Sequence, residues 1–303
     1  MRYLVTGAAG FIGSHLSETL VAAGHDMACI DSFTDYYDPA LKEENARGLD
    51  VQRLDLASDP LDLAGFDAVF HLAGQPGARS FGPAFADYLR RNLLATQRVF
   101  EAAAAAGVRV VWASSSSVYG DAERYPTPED GTPRPNNPYG ITKLGCEQLQ
   151  DTYARLFGLD AVALRYFTVY GPRQRPDMAC ARVVDALARD AEFEVYGDGS
   201  QSRSFTYVAD AVDATIRAVD AAAGIYNVGG GDEATLREAL DVLQEISGRP
   251  LRVRYGEPQT GDMRRTRADT TRIERAVGWR ATTPLRTGLA AHWEWASARV
   301  AAG

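Results

Sequence analysis

Tyr3-Leu-Val-Thr-Gly7-Ala-Ala-Gly10-Phe-Ile-Gly13 is the stretch on which the architecture turns. A short β-rich run, residues 3–6, passes directly into a glycine triplet that opens a helical segment over 12–23. Glycines at this spacing let the backbone turn tightly, admit a pyrophosphate close to the main chain and pack the helix on the strand. The helix N-terminus then offers unpaired N–H groups and a positive dipole to phosphates. A glycine triplet alone also fits an ordinary strand–helix turn, so the context matters. Asp31 ends the second strand candidate, 18 residues past Gly13, where a carboxylate accepts hydrogen bonds from an adenosine ribose diol. It would repel a 2′-phosphate, and no Arg or Lys stands between 32 and 41 to offset it, so NAD is expected rather than NADP.

Outward from this unit the alternation repeats. Strands are expected over 3–6, 27–30, 51–54, 68–72, 108–113 and 161–165, and helices over 12–23, 85–106 and 139–157. Repeated strand–helix–strand units imply α/β architecture, a doubly wound parallel Rossmann sheet covered by helices on both faces. After about residue 167, loops and short strands dominate until a final helix near 285–299. The expected division is an NAD-binding domain, 1–166 with 204–229 returning to it, and a smaller substrate domain from 167–203 and 230–303. Asp55-Leu56 and His71-Leu-Ala-Gly74 close the third and fourth strands, at carboxyl ends where open α/β sheets bind ligands. His71 is given no role.

The chain has 303 residues, 46% hydrophobic and 24% charged, the composition of an ordinary globular protein. A net charge of −8 argues against a nucleic-acid partner, while local arginines can still hold a small anion. Three scattered cysteines and four histidines suggest neither a disulfide framework nor a metal site. No run approaches the ~18–20 apolar residues of a membrane span. The expectation is a cytoplasmic chain with no membrane partner.

Ser114-Ser-Ser-Ser117-Val-Tyr-Gly120 follows the fifth strand, and Tyr139-Gly-Ile-Thr-Lys143 begins a helix after a proline-rich stretch. At i and i+4, Tyr139 and Lys143 share a helix face. A neighbouring ammonium stabilises phenolate, so the tyrosine can act as a general base.

In combination these motifs resemble the extended short-chain dehydrogenase/reductase family, the NAD-dependent nucleotide-sugar epimerases and dehydratases. The resemblance runs from Thr6-Gly7 to Trp279 and includes Gly197-Asp-Gly-Ser-Gln-Ser-Arg-Ser-Phe-Thr-Tyr-Val-Ala-Asp210. It implies a catalytic trio of Ser115, Tyr139 and Lys143. It implies NAD contacts from Gly7, Gly10, Phe11, Ile12, Gly13, Asp31, Ser32, Asp55, Leu56, Leu72, Ala73, Gly74, Ser114 and Tyr166, besides Tyr139 and Lys143. Tyr166 and Phe167 would flank the nicotinamide, or else are core aromatics at a strand end.

Within the family, 4,6-dehydratases carry Thr-Asp-Glu where this chain has Ser115-Ser116-Ser117, which removes the acid–base pair that dehydration needs. UDP-glucuronate decarboxylases place Glu at the position of Ser117, and galactose-type epimerases place Asn at that of Thr168. The pattern is most similar to UDP-glucuronate 4-epimerases. The match includes Asp35-Tyr-Tyr-Asp38 with Leu41-Lys42, Gln75-Pro-Gly-Ala-Arg79, and Phe167-Thr-Val-Tyr-Gly-Pro172 with Arg173-Gln-Arg-Pro-Asp-Met-Ala179. That implies a UDP-sugar substrate, a transient 4-keto sugar, and a homodimer pairing the helices over 85–106 and 139–157. UDP, dTDP and GDP stay open as the nucleotide. Ser116, Ser117 and Thr168 are expected to bind the uronate carboxylate. Arg79 and Arg175 are its charge partners or surface salt-bridge residues. Arg203 and Arg265 are expected on the diphosphate and Asp262 on the uridine ribose, in a register that the arginine-rich run 263–267 leaves open. The rival readings are a UDP-glucose/galactose 4-epimerase, a UDP-glucuronate decarboxylase, and an NAD-binding sensor without chemistry.

Overall fold

The computed structural model describes residues 1–77, 82–230, 233–258 and 263–302. Its strands are β1 (Arg2–Thr6), β2 (Asp26–Asp31), β3 (Val51–Arg53), β4 (Ala68–His71), β5 (Arg109–Ser115), β6 (Ala161–Tyr166), β7 (Thr168–Tyr170), β8 (Glu192–Tyr196), β9 (Ser202–Tyr207), β10 (Gly224–Val228), β11 (Glu233–Thr235), β12 (Arg252–Gly256) and β13 (Arg265–Thr266). The helices are α1 (Phe11–Ala22), α2 (Pro39–Asn45), α3 (Phe85–Tyr88), α4 (Ala95–Ala106), α5 (Pro138–Phe157), α6 (Ala179–Arg189), α7 (Val208–Arg217), α8 (Leu236–Ser247), α9 (Thr271–Val277) and α10 (Leu285–Ala302).

Seven strands form one parallel sheet in the order β10-β6-β5-β4-β1-β2-β3. The order reverses between β1 and β4, which opens a crevice at the carboxyl edge of the sheet. Strand alternation supplies both cores. Val5, Phe70, Val111, Val162 and Leu164 face α1 and α7, while Leu4, Val69, Val110, Trp112 and Ala163 face α4 and α5. Every residue of β6 is buried, as a central parallel strand requires.

The helix expected over 85–106 is broken by a π-helical turn at Leu89–Leu94. Its cause is Asn92, a fully buried amide that bonds the main chain of Gln75 instead of following the apolar stripe. Helix α5 starts as its sequence suggests. Asn137 caps it by accepting the Gly140 N–H at 2.8 Å, Pro138 follows, and Gly158 ends it at φ +68°.

The remaining strands form a second layer. β9 pairs with β7, β11 and β13, while β8 and β12 make a separate parallel pair. Helices α6, α8 and α10 enclose its core around Val184, Phe205, Leu240 and Leu289. Chain crossing differs from the expected 204–229: residues 204–207 complete β9 in the second layer, and the return begins with α7. Part of 230–303 also returns, because Ile273 and Trp279 bury their apolar surface in the core beneath α1 and α7.

Candidate active site

Six strand ends meet at the crevice. At Gly7, φ is +71°, and a Cβ there would lie 2.7 Å from the Ala73 nitrogen. A Cβ on Gly13 would lie 2.0 Å from the Gly7 carbonyl oxygen, so only glycine permits this loop. Gly10 caps α1 with no side-chain acceptor, which leaves the first-turn N–H groups of Phe11, Ile12 and Gly13 pointing out of the helix. Asp31 is buried at the end of β2, where its carboxylate accepts the Ala9 N–H at 3.1 Å and the Phe33 N–H at 2.8 Å. These observations fit a dinucleotide: a cradle that a methyl would fill, and an immobilised carboxylate one strand away.

Ser32 lines a cavity of about 450 Å³ with Thr34, Arg53, Leu54 and Asp55. Asp55 there accepts from the Arg90 guanidinium at 2.7 Å and from the Ala57 N–H at 2.9 Å, and Leu56 is buried. Beyond β4, the Ala73 N–H donates to Thr6 Oγ1 at 3.2 Å, alongside Leu72. A Cβ on Gly74 would lie 2.8 Å from Asn92 Oδ1 and 3.4 Å from Lys143 Nζ. His71 is wedged between Thr6 Oγ1 at 2.7 Å and Thr96 Oγ1 at 3.0 Å. Burial, with the Lys143 charge, holds its pKa down to about 3, so it stays neutral.

At the reacting end, Ser115 closes β5. Its Oγ accepts the Ser117 N–H at 3.1 Å and so caps the turn Ser116–Val118. Ser115, Ser116 and Ser117 are all buried, and a Cβ on Gly140 would lie 2.5 Å from the Ser117 carbonyl oxygen. That close approach seats the start of α5, and with it the half-buried Tyr139, against the serine turn. Lys143 Nζ lies 5.7 Å from the centre of the Tyr139 ring and donates to the Ala113 carbonyl at 2.7 Å. The two side chains therefore do share one helix face.

Two expectations change once strand faces are known. Ser114 sits on the Trp112 face of β5, beneath α5, and its hydroxyl donates to the Glu147 carboxylate at 2.6 Å. Its side chain is thus turned away from the cofactor crevice. Tyr166 shares the face of Val162 and Leu164, so its ring belongs to the core and its hydroxyl bonds Thr215 Oγ1 at 2.6 Å. Phe167 packs with Val118 and Tyr119.

On the sugar side, Thr168 opens β7 opposite Phe205. Arg175 makes two bonds to Asp177, at 3.0 and 3.2 Å, and interacts electrostatically with Tyr139. The same Asp177 accepts the Tyr36 hydroxyl at 3.2 Å, and burial with that carboxylate pushes the Tyr36 pKa up to about 12. Arg203, on β9, lies in register with Thr266 and donates to the Ser202 carbonyl at 2.8 Å. Arg265 is held by Glu233 through bonds of 2.6 and 2.9 Å. Arg79 and Asp262 lie outside the described residues.

Three further residues shape the site. Asn45 Nδ2 donates to the Ala9 carbonyl at 3.2 Å, opposite the Asp31 contact. Lys42 reaches Thr34 through its carbonyl and Oγ1, both at 2.8 Å, and interacts electrostatically with Asp31. Asn92 clamps Gln75 and bonds Thr142 Oγ1 at 3.1 Å, between the Gly74 loop and α5. The only sequence signal for Asn45 and Asn92 was a polar residue at a helix position that faces the interior.

A switch-point crevice with a glycine cradle, a buried carboxylate at the end of the second strand and a Ser/Tyr/Lys cluster defines a Rossmann protein of nucleotide-cofactor chemistry. The family model that matches residues 3–229 is the NAD dependent epimerase/dehydratase family, and the chain belongs to it. Its cofactor is accordingly NAD. Among known relatives, it is 37% identical over 310 residues to an uncharacterized UDP-glucose epimerase, YtcB, of Bacillus subtilis, covering 95% of this chain and 96% of that one. It is 33% identical to a probable UDP-glucuronate 4-epimerase of Rhizobium meliloti, covering 97% and 96%. The UDP-glucuronic acid 4-epimerase of Bacillus cereus, solved with UDP-glucuronic acid and NAD, superposes with a TM-score of 0.95 at 35% identity, over 99% of this chain and 100% of that one.

Proposed function

We propose that this enzyme interconverts UDP-glucuronate and UDP-galacturonate at C4. The observation that carries this reading is the buried hydroxyl row Ser115, Ser116 and Ser117, with Thr168 opening β7 two residues past the end of β6, the neighbour of β5. Glu147, a buried carboxylate bonded by the neighbouring Ser114, is already paired with Arg165. Oxidation at C4 of a uronate gives a β-keto acid, which loses CO2 when its carboxyl bond aligns with the carbonyl π system. Neutral hydroxyl donors can hold the carboxylate out of that alignment without adding a negative neighbour.

Tyr139 takes the C4 hydroxyl proton, and Lys143 Nζ lies 5.7 Å from the centre of its ring. Ser115 uses its acceptor capacity on the Ser117 N–H, which leaves its own O–H for the C4 oxygen. NAD, when bound, supplies the acceptor and then the donor for the C4 hydrogen. The keto sugar turns over while Arg203 and Arg265 grip the diphosphate, and Tyr139 returns its proton to the C4 oxygen. A homodimer belongs to the same proposal: Leu89, Leu94, Ile141 and Phe157 are exposed on the adjoining helices that would pair.

A UDP-glucose 4-epimerase is the second reading, supported by the Bacillus subtilis relative. Incubation of the purified holoenzyme with UDP-glucuronate, without added NAD, followed by NMR of the sugar, separates them. UDP-galacturonate is the expected product. Turnover of UDP-glucose with none of UDP-glucuronate would overturn the first reading, and a pentose product would make the enzyme a decarboxylase.

A further inference from the structure

Helix α5 carries a third residue on the face of Tyr139 and Lys143. Glu147 lies one turn beyond Lys143, and its side chain and that of Arg165 are 4% and 3% exposed. They form a two-pronged pair, Arg165 Nη2 to Glu147 Oε2 at 2.7 Å and Nε to Oε1 at 2.9 Å. Glu147 Oε1 also accepts the Ser114 hydroxyl at 2.6 Å, the residue immediately before Ser115. Arg165 extends the chain by donating to the Tyr119 hydroxyl at 2.7 Å, and that hydroxyl donates to Asn227 Oδ1 at 2.8 Å.

We propose that the Glu147–Arg165 pair is a positioning device that sets the catalytic helix at one depth and rotation against the serine turn. The inference rests on the epimerase reading given above. Its physical basis is geometry. α5 brings Tyr139 and Lys143, β5 brings Ser115, and β6 leads into Thr168, so three segments remote in sequence must agree closely. Apolar packing beneath α5 tolerates small sliding, whereas a forked guanidinium on a carboxylate does not. A buried ion pair is a weak source of stability but a strict geometric constraint when every donor and acceptor is satisfied. Here one carboxylate is bonded from both neighbouring strands, β5 through Ser114 and β6 through Arg165. The Tyr119 branch carries the same constraint to the far side of the turn, because Tyr119 directly follows Ser116–Val118. Neither residue touches the reacting atoms; both act through Ser115 and Tyr139.

The test compares Glu147→Gln and Ser114→Ala holoenzymes with the wild type, on whichever UDP-sugar the wild type epimerises. Glu147→Gln keeps shape and an acceptor but loses the charge; Ser114→Ala removes one bond and leaves the ion pair intact. For Glu147→Gln, kcat is expected to fall at least about tenfold with KM within about twofold and bound NAD unchanged. For Ser114→Ala, kcat is expected to fall about threefold at wild-type Tm, with a larger share of turnovers on UDP-glucuronate ending as CO2. If Glu147→Gln does not fold, Ser114→Ala and Tyr119→Phe carry the test. Wild-type kcat and product ratio in the folded variants, whatever their Tm, would reduce the pair to a structural role. A wild type active on UDP-glucose alone overturns the substrate reading but leaves the kcat comparison standing. A wild type inactive on every UDP-sugar overturns both.

Discussion

The two ends of the crevice are built differently. At the cofactor end the groups are main-chain atoms and the carboxylates of Asp31 and Asp55, all held within the Rossmann layer. The N–H of Ala9 is bonded by Asp31 and its carbonyl by Asn45, so the loop keeps its shape from both sides. At the end proposed to hold the sugar nucleotide the charged groups are long side chains paired with carboxylates: Arg175 with Asp177 and Arg265 with Glu233. A site for a prosthetic group benefits from rigidity, whereas a site in which a sugar must turn benefits from contacts that can exchange partners. With a net charge of −8, an anionic ligand has to be met by local arginines, and under the proposed function Arg203 and Arg265 would have to exchange their present partners for it.

That contrast can be broken in four places, in decreasing order of expected effect. Tyr139→Phe sits where both ends meet and should lower kcat by about 10³-fold while retaining NAD, because only the proton-transfer group is lost. Stopped assays and NAD released on denaturation measure the two quantities; full turnover would remove Tyr139 from the mechanism. Gly13→Ala probes the rigid end. Its Cβ would lie 2.0 Å from the Gly7 oxygen, so the purified protein should retain little NAD and lose ~1–3 kcal/mol of stability. A variant that binds NAD normally would show the cradle to be adaptable. Arg265→Ala probes the exchangeable end. Its pair with Glu233 is solvent-screened, so Tm should barely move while KM rises about tenfold at nearly constant kcat. An unchanged KM would remove Arg265 from diphosphate binding.

The smallest effect at neutral pH concerns His292, best seen beside the second buried histidine, His71. His71, at the cofactor end, has a threonine hydroxyl on each ring nitrogen. His292, in the second layer, has no hydrogen-bond partner for either nitrogen among the described residues. Burial lowers the His292 pKa from 6.5 to about 4. The unfolded chain binds the proton first, so stability is complete above pH 6.5 and falls as pH drops toward 4, by on the order of 3 kcal/mol. His292→Leu should therefore be near neutral at pH 7 and flatten the decline of Tm between pH 6.5 and 4. His71→Leu removes one hydrogen-bond partner from each of Thr6 and Thr96 and should destabilise at every pH. Equal behaviour of the two variants would contradict the difference in partnering.

Much of the site was legible because its information is local. Gly7, Gly10 and Gly13 follow a strand at fixed spacing, Asp31 ends the next one, and Tyr139 and Lys143 are one helical turn apart. The side-chain directions of Ser114 and Tyr166 were not legible, because membership of a motif says nothing about which face of the strand a residue occupies. Period-two alternation places Ser114 with Trp112 and Tyr166 with Leu164, and both side chains follow their neighbours inward. Asn92 was hidden by an otherwise continuous helical pattern, and the π-turn it sits in arises from its bond to Gln75, which comes from another strand end.

Local pattern was thus sufficient for the parallel sheet and the glycine cradle, and for bringing Tyr139 and Lys143 to one helix face, since each depends on backbone geometry over a few residues. The opening glycine stretch would specify the same turn in any surrounding chain. Which carboxylate neutralises which arginine, and how α5 is locked to β5 and β6, depended on the folded chain. Those contacts join residues far apart in sequence, and their energies depend on burial and register that no short window contains.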